Sequence, residues 1–239
     1  RVALPGDDNI DEYRFLCIDI ESGEQQDARY RRCPVFRNAL PFFTYPHAWW
    51  AEDSRYTYFL DLERGGDHVA RLVEFDTFNG KTRIVIEEES PDTCFKLRLD
   101  SMIPYQMRLL PDSDDVIWYS ERSGWAHLYL YNLKTGELKH PITKGDWLVR
   151  DIHHYDSECR ELIIQTAGRD PGHNPYYRDI CRVNVDTGEL SPIVETDDEY
   201  IVFEDGGELA ANISTVRDIW RSSGVSKTGR YIVTTRSRA

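Results

Sequence analysis

The chain lacks long apolar runs: none of its stretches approaches the roughly 20 residues that a membrane-spanning helix needs, and Arg1-Val2-Ala3-Leu4-Pro5-Gly6 holds no apolar signal core. It is short of positive charge. Against 42 acidic residues stand 29 basic ones, a net charge of −13 over 239 residues. Such a surface repels phosphate backbones and anionic headgroups, so nucleic acid is not expected as a partner. The five cysteines, Cys17, Cys33, Cys94, Cys159 and Cys181, form no C-x-x-C pair and show no regular spacing. Their odd count leaves at least one thiol unpaired within the chain, and buried reduced thiols are the simplest reading. One or two disulfides stay open if the protein is exported.

Catalytic signatures are missing as well. A serine hydrolase of the α/β type needs G-x-S-x-G on a strand-to-helix turn. The nearest stretch, Gly224-Val225-Ser226-Lys227-Thr228, has no final glycine, and no Ser…Asp…His order follows it. Gly80-Lys81-Thr82 is no phosphate loop, because Phe75 stands where the first glycine belongs. Among the histidines only His153-His154, near Asp156 and Cys159, cluster. Neighbours on a strand point to opposite faces, so they are poorly placed to share one ion. Neither a metal nor a cofactor is expected.

What is present is aromatic and β-branched. Phe, Trp and Tyr make up 12% of the residues, with 14 Tyr and 6 Trp. A chain so rich in aromatics folds, and it favours sheets. It also repeats. Ile20-Glu21-Ser22-Gly23-Glu24, Thr77-Phe78-Asn79-Gly80-Lys81, Leu133-Lys134-Thr135-Gly136-Glu137 and Val185-Asp186-Thr187-Gly188-Glu189 resemble one another, with glycines 57, 56 and 52 residues apart. Each follows an apolar run, and each glycine supplies the positive φ of a tight hairpin. A second, mostly acidic turn recurs upstream: Ala51-Glu52-Asp53-Ser54-Arg55, Pro111-Asp112-Ser113-Asp114-Asp115, Tyr155-Asp156-Ser157-Glu158-Cys159 and Ser226-Lys227-Thr228-Gly229-Arg230. The unit is strand, acidic turn, strand, loop, strand, glycine turn, strand.

Four strands per repeat, with no long amphipathic helical pattern, predict an all-β chain and a β-propeller. Three four-stranded blades are expected at 42–90, 100–145 and 147–195, with half-blades at 1–30 and 215–239. Residues 196–221 read as an insertion, holding a hairpin around Tyr200-Ile201-Val202-Phe203 and a short helix near Ala210. Both ends fall inside a blade, so the chain is expected to be one stretch of a larger ring.

The most specific stretch runs Val116-Ile117-Trp118-Tyr119-Ser120-Glu121-Arg122-Ser123-Gly124-Trp125-Ala126-His127-Leu128-Tyr129-Leu130-Tyr131, followed by Ile142-Thr143 and Gly145-Asp146-Trp147. It resembles the propeller of dipeptidyl peptidase IV-like serine peptidases, of the prolyl oligopeptidase superfamily, almost residue for residue. Ala167-Gly168-Arg169-Asp170-Pro171-Gly172-His173-Asn174-Pro175-Tyr176-Tyr177-Arg178 is similar to a second blade of bacterial-type members. Both ends fit too, so the likeness covers nearly the whole chain.

The resemblance implies an eight-bladed parent propeller and a C-terminal α/β-hydrolase domain that this chain lacks. It implies removal of dipeptides from peptide N-termini by a Ser-His-Asp triad, a homodimeric parent, and a periplasmic or secreted location. The unpaired cysteines leave a cytoplasmic one open. The family's paired glutamates for the substrate amine would lie upstream of residues resembling 1–24. Glu87-Glu88-Glu89 lacks their context and reads as a solvated strand end. No catalytic residue is expected here. Phe95 and Arg98, in an inter-blade linker, are the substrate-facing candidates. Trp118, Trp125, Tyr129, Tyr131 and Trp147 read as core, His127 as hydrogen-bonded within its blade, and Glu121 with Arg122 as a turn pair; Ser120 and Gly124 complete the family motif. A different class of function stays open: a catalytically inactive propeller that binds peptides or proteins.

Overall fold

A computed structural model describes residues 12–34, 48–62, 69–89, 107–194, 198–202, 224–226 and 228–237. Every regular element among them is a strand. The chain opens with β1 (Glu12–Tyr13), β2 (Leu16–Ile18), β3 (Gln25–Asp27) and β4 (Cys33–Pro34). The first full sheet is β5 (Ala48–Trp50), β6 (Tyr56–Leu62), β7 (Val69–Asp76) and β8 (Thr82–Glu89). The second is β9 (Arg108–Leu110), β10 (Asp115–Ser120), β11 (His127–Asn132) and β12 (Leu138–Pro141). The third is β13 (Leu148–Asp156), β14 (Glu161–Ala167), β15 (Arg178–Asn184) and β16 (Leu190–Pro192). Last come β17 (Glu199–Val202) and β18 (Thr234–Ser237). Each four-stranded sheet is antiparallel in simple chain order, the blade of a β-propeller.

The turns explain the repeat. Asp19, Asp76 and Asn184 each stand four residues before the turn glycine, and each Oδ1 accepts backbone N–H groups inside the turn: Glu21 and Ser22, Phe78, and Asp186 and Thr187. The glycine N–H then returns to the carbonyl of that Asp or Asn, at 2.8 Å for Gly23 and 2.9 Å for Gly80 and Gly188. Gly23, Gly80, Gly136 and Gly188 all hold φ between 71° and 77°, a region costly to side chains with a Cβ. An Asx cap followed by glycine is thus the local chemistry that folds the third strand back onto the fourth. The acidic turns use the same device: Asp53 Oδ1 accepts from Arg55 and Tyr56, and Asp156 Oδ1 from Glu158 and Cys159.

The molecule divides into two compact units. The first holds Arg1–Tyr105 together with the Leu133–Glu137 turn. Its core joins Ala28, Phe59, Val73 and Phe75 to Phe15, Cys17 and Tyr30, and Phe15 stacks on Phe59 at 3.8 Å. Below that core Asp61 is wholly buried. It accepts from Arg31 at 2.8 and 2.7 Å and from Tyr30 Oη at 2.8 Å, and Arg71 lies 3.5 Å away. Burial first, and then Asp61, push the Cys33 thiol up to about 12, so it stays protonated.

The second unit holds Gln106–Asn132 and Leu138–Ala239. All six residues of β10 are buried, and so are five of the six in β11. Each large apolar side chain so buried contributes about 1.5–3 kcal/mol. A further cluster joins Ile163, Ile180, Tyr200, Val202 and Val225.

Tyr200 and Val202 lie on β17, where they pair with Arg236 and Thr234 of β18, far along the chain. The residues after Val202 that would complete the expected hairpin, and the helix expected near Ala210, lie outside the described residues.

Candidate functional site

The family-like hairpin β10–β11 is in strict register: Val116 faces Tyr131, Trp118 faces Tyr129, and Ser120 faces His127. Opposed residues and those two apart share a face, so all six lie on one side, and Ile117, Tyr119, Leu128 and Leu130 on the other. Two polar clusters grow from the first face. In one, the backbone N–H and Nε–H of Arg122 donate to Ser120 Oγ at 3.1 and 3.0 Å, and Nη1 donates to Tyr131 Oη at 2.8 Å. Its guanidinium lies 4.4 Å from the Tyr129 ring centroid, in cation–π range. Arg122 therefore braces Ser120, Tyr129 and Tyr131 together.

In the other cluster His127 is 1% exposed. Nε2 sits 2.9 Å from the carbonyl of Gly145, and Nδ1 sits 3.0 Å from Thr143 Oγ1. A carbonyl only accepts, so Nε2 carries the proton and Nδ1 accepts from the Thr143 hydroxyl. That hydroxyl in turn accepts the N–H of Leu128 at 3.0 Å. Burial holds the imidazole below its ordinary range, in the neutral form this network needs. Trp147, half-buried, meets the ring edge-on at 4.9 Å. The cluster positions the connection from β12 into β13, with both ring nitrogens occupied.

Other expectations resolve as follows. Trp118 is core, at 1% exposure, but Trp125 is 39% exposed. It belongs to the β10–β11 turn, outside the strand alternation that would bury it, and its carbonyl accepts from Ser123 Oγ. Phe95 and Arg98 lie outside the described residues. Glu88 is buried rather than solvated, while Glu87 pairs with Arg71 and Glu89 is exposed. A residue on the inward side of β8 cannot reach water as the strand end suggested. Cys33 and Cys181 are buried thiols, Cys17 is half-buried, and Cys159 is exposed on its turn. Among the described residues no His, Cys, Asp and Glu come together with the spacing of a metal centre. Ser226 Oγ accepts from the N–H of Tyr231 at 3.1 Å, a turn role.

A charged residue with several partners among the described residues escaped sequence reasoning. Arg160 forms a fork with Asp186, Nε to Oδ2 at 2.7 Å and Nη2 to Oδ1 at 2.9 Å. It also reaches Asp112 at 3.0 Å, Ser113 at 3.2 Å and Asp115 at 3.1 Å, on the second sheet. Tyr155 Oη joins by donating to Asp112. Lys139 closes on the other oxygen of Asp115 at 2.5 Å. The only sequence signal was the acidity of the turn at 111–115, which demands a cation but does not say which. The described residues thus hold scaffolding networks at both ends of the blades: His127 and Arg122 where β10 turns into β11, and Arg160 at the acidic turns.

Comparison with known proteins fits this reading. The family profile described as dipeptidyl peptidase IV (DPP IV) N-terminal region matches residues 6–221. The "probable dipeptidyl peptidase 4" of Aspergillus flavus is 28% identical over 168 residues, 69% of this chain and 18% of that protein. Its namesake in Emericella nidulans is 29% identical over 170 residues, again 69% of this chain and 19% of the relative. The chain therefore spans less than a fifth of these relatives. Among solved structures, a dipeptidyl aminopeptidase IV candidate from Bacteroides ovatus aligns over 95% of this chain and 33% of its own, with TM-score 0.57 and 18% identity. Dipeptidyl peptidase 4 of Porphyromonas gingivalis aligns over 83% of this chain and 29% of its own, with TM-score 0.53 and 14% identity. At such identities the two structures speak for the fold, and the profile speaks for the family: the chain belongs to the dipeptidyl peptidase IV N-terminal region family and is β-propeller sequence of that kind.

Proposed function

We propose that this chain is the non-catalytic propeller portion of a dipeptidyl peptidase IV-like serine exopeptidase, one that admits and orients peptides for an α/β-hydrolase domain carried elsewhere in the parent protein. The observation that carries the reading is the family match over residues 6–221 in a sequence with no G-x-S-x-G. Matched relatives named dipeptidyl peptidase 4 are several times longer than this chain, which leaves ample room for that domain. The chemistry assigned to the propeller is positional. A rigid ring holding charged groups can fix a peptide end, so that binding energy sets the scissile bond over the nucleophile. The hydrogen-bonded networks around His127, Arg122 and Arg160 favour rigidity of that kind. A homodimeric parent is part of the same reading.

The test is hydrolysis of a Gly-Pro chromogenic amide by the 239-residue chain and by the full-length gene product, side by side. Activity confined to the full-length product is the expected result. Activity in the short chain would overturn the reading, and silence in both would leave a peptide-binding module instead.

A further inference from the structure

Three of the glycine turns place a hydroxyl just before the glycine, and one places an amide. Ser22 Oγ accepts the N–H of Glu24 at 3.2 Å, Thr135 Oγ1 that of Glu137 at 3.2 Å, and Thr187 Oγ1 that of Glu189 at 3.1 Å. In the first full sheet Asn79 Oδ1 does the same for Lys81 at 2.8 Å. The position asks only for a short acceptor that bonds the backbone two residues on. Asn79 meets that need with a side chain that carries chemistry of its own. An asparagine followed by glycine is readily attacked by the next backbone nitrogen, because glycine has no Cβ to hinder the approach. Asn79-Gly80 is the one such pair in the 239 residues.

The fold holds both reacting groups. Gly80 N–H donates to the Asp76 carbonyl at 2.9 Å. The carboxamide is pinned at both ends, Oδ1 by the Lys81 N–H and Nδ2 by donation to Asp76 Oδ2 at 2.8 Å. Asp76 is buried, and Arg55 Nη2 donates to that same oxygen at 2.7 Å. Gly80 is buried too: its carbonyl accepts the Arg29 N–H at 2.7 Å, and an added Cβ would stand 2.6 Å from the Asp27 carbonyl oxygen. All these residues belong to the first unit. Ring closure between Gly80 and Asn79 therefore needs their hydrogen bonds broken together, which only a local opening of the turn provides.

We infer that Asn79-Gly80 is a site of spontaneous deamidation that the closed turn keeps shut, so that its modification is a one-way record of that turn's opening and leaves it unable to close as before. With the turn open, the Gly80 nitrogen attacks Asn79 Cγ. A C–N bond forms, the Cγ–Nδ2 bond breaks, and the amide nitrogen leaves as ammonia with the proton that Gly80 gives up. Water then opens the resulting succinimide at either carbonyl, giving aspartate or isoaspartate. Aspartate cannot donate to Asp76 Oδ2 and sets a second carboxylate beside it, a like-charge pair. Isoaspartate lengthens the main chain by one atom, just ahead of a glycine fitted against Asp27 and Arg29. The inference stands on turn chemistry and is independent of the peptidase reading.

The test holds the full-length gene product at neutral pH, folded or in urea, and follows residue 79 by mass-spectrometric peptide mapping that separates isoaspartate from aspartate. In urea, Asn79 should convert faster than every other asparagine, and in the folded protein at least about tenfold more slowly than in urea. Asp76→Asn keeps a cap of the kind Asn184 provides but removes the acceptor for Asn79 Nδ2. It should raise the folded-state rate and leave the rate in urea unchanged. Asn79→Asp, the direct product, should melt below Asn79→Thr, which carries the hydroxyl of the sister turns. Equal rates folded and in urea, or an Asn79 no faster than other asparagines in urea, would overturn the inference. So would a folded Asp76→Asn protein that converts no faster than wild type, or an Asn79→Asp protein that melts no lower than Asn79→Thr. Should Asp76→Asn fail to fold, the folded and urea rates of the wild type still decide.

Discussion

Arg160 offers the sharpest test of how the blades of the second unit are held. Replacing it with methionine keeps the aliphatic stem and the backbone, whose φ of 52° is equally unfavourable for either side chain, so only the guanidinium is lost. Its fork onto Asp186 and its bonds to Asp112 and Asp115 disappear together. Hydrogen bonds to charged groups contribute about 1.5–3 kcal/mol each where solvent is excluded. Here the sum must be discounted. The Asp186 side chain is 50% exposed and that of Asp112 25%, so both can recover water, and exposed pairs contribute little. Asp115, 3% exposed, keeps only Lys139. A net loss of about 2–4 kcal/mol results, below the roughly 3–5 kcal/mol of a fully buried broken pair. For a chain of this size that is about 4–16 °C in melting temperature. Arg160→Lys should recover little of it, because a single ammonium cannot span the Asp186 fork and the Asp112–Asp115 pair at once. The pH dependence separates this account from a packing defect. The Arg160 hydrogen bond holds the Asp186 carboxyl below its ordinary value, so its contribution is complete above about pH 4 and fades as pH falls through the folded value. The gap between wild type and Arg160→Met should therefore narrow in acid. Calorimetry or urea melts at pH 7 and pH 3 measure it. A shift below about 2 °C, roughly the lower bound for 1 kcal/mol, or a gap as wide at pH 3 as at pH 7, would refute the reasoning.

Other expectations follow from the same networks. His127, its imidazole pushed down by burial, binds its proton later on acidification than the unfolded chain does. Stability should be complete above about pH 6.5 and fall below it, and denaturant melts of wild type and His127→Phe should differ in this slope. Nitrogen NMR should place the His127 proton on Nε2. Thr143→Val removes both the donor to Nδ1 and the acceptor for Leu128 N–H. It should cost about 1–3 kcal/mol, seen as a lower urea midpoint with unchanged slope. Asp61→Leu puts an apolar side chain where Arg31 and Arg71 now meet a carboxylate, and Arg71 keeps its pair with Glu87. Arg31 is 43% exposed and can turn to water, so the expected loss is about 2–3 kcal/mol, less than for a fully buried pair. Thermal melts of the first unit would report it.

The repeat was legible because its chemistry is local. A turn glycine advertises its φ, and the aromatic runs around it advertise strands, so four-stranded antiparallel sheets were legible, and three of them span 48–89, 108–141 and 148–192. The Asx residues at 19, 76 and 184 were equally local and were overlooked because the turn was read from one residue too late. What could not be read is what crosses the chain. Arg160 finds Asp112 and Asp115 across 48 and 45 residues, and nothing in either segment names the other. Tyr200 likewise pairs with Arg236 across 36 residues. Trp125 shows a different limit: an aromatic in a run of core aromatics is still exposed when it occupies the turn. These limits also say where specificity belongs. Among the described residues, the turn glycines, the Asx caps and the buried strands shared by the blades are committed to holding them. On the peptide-orienting role proposed above, residues that recognise a peptide would come from connections that do not repeat, and there a repeat-based reading has the least to say.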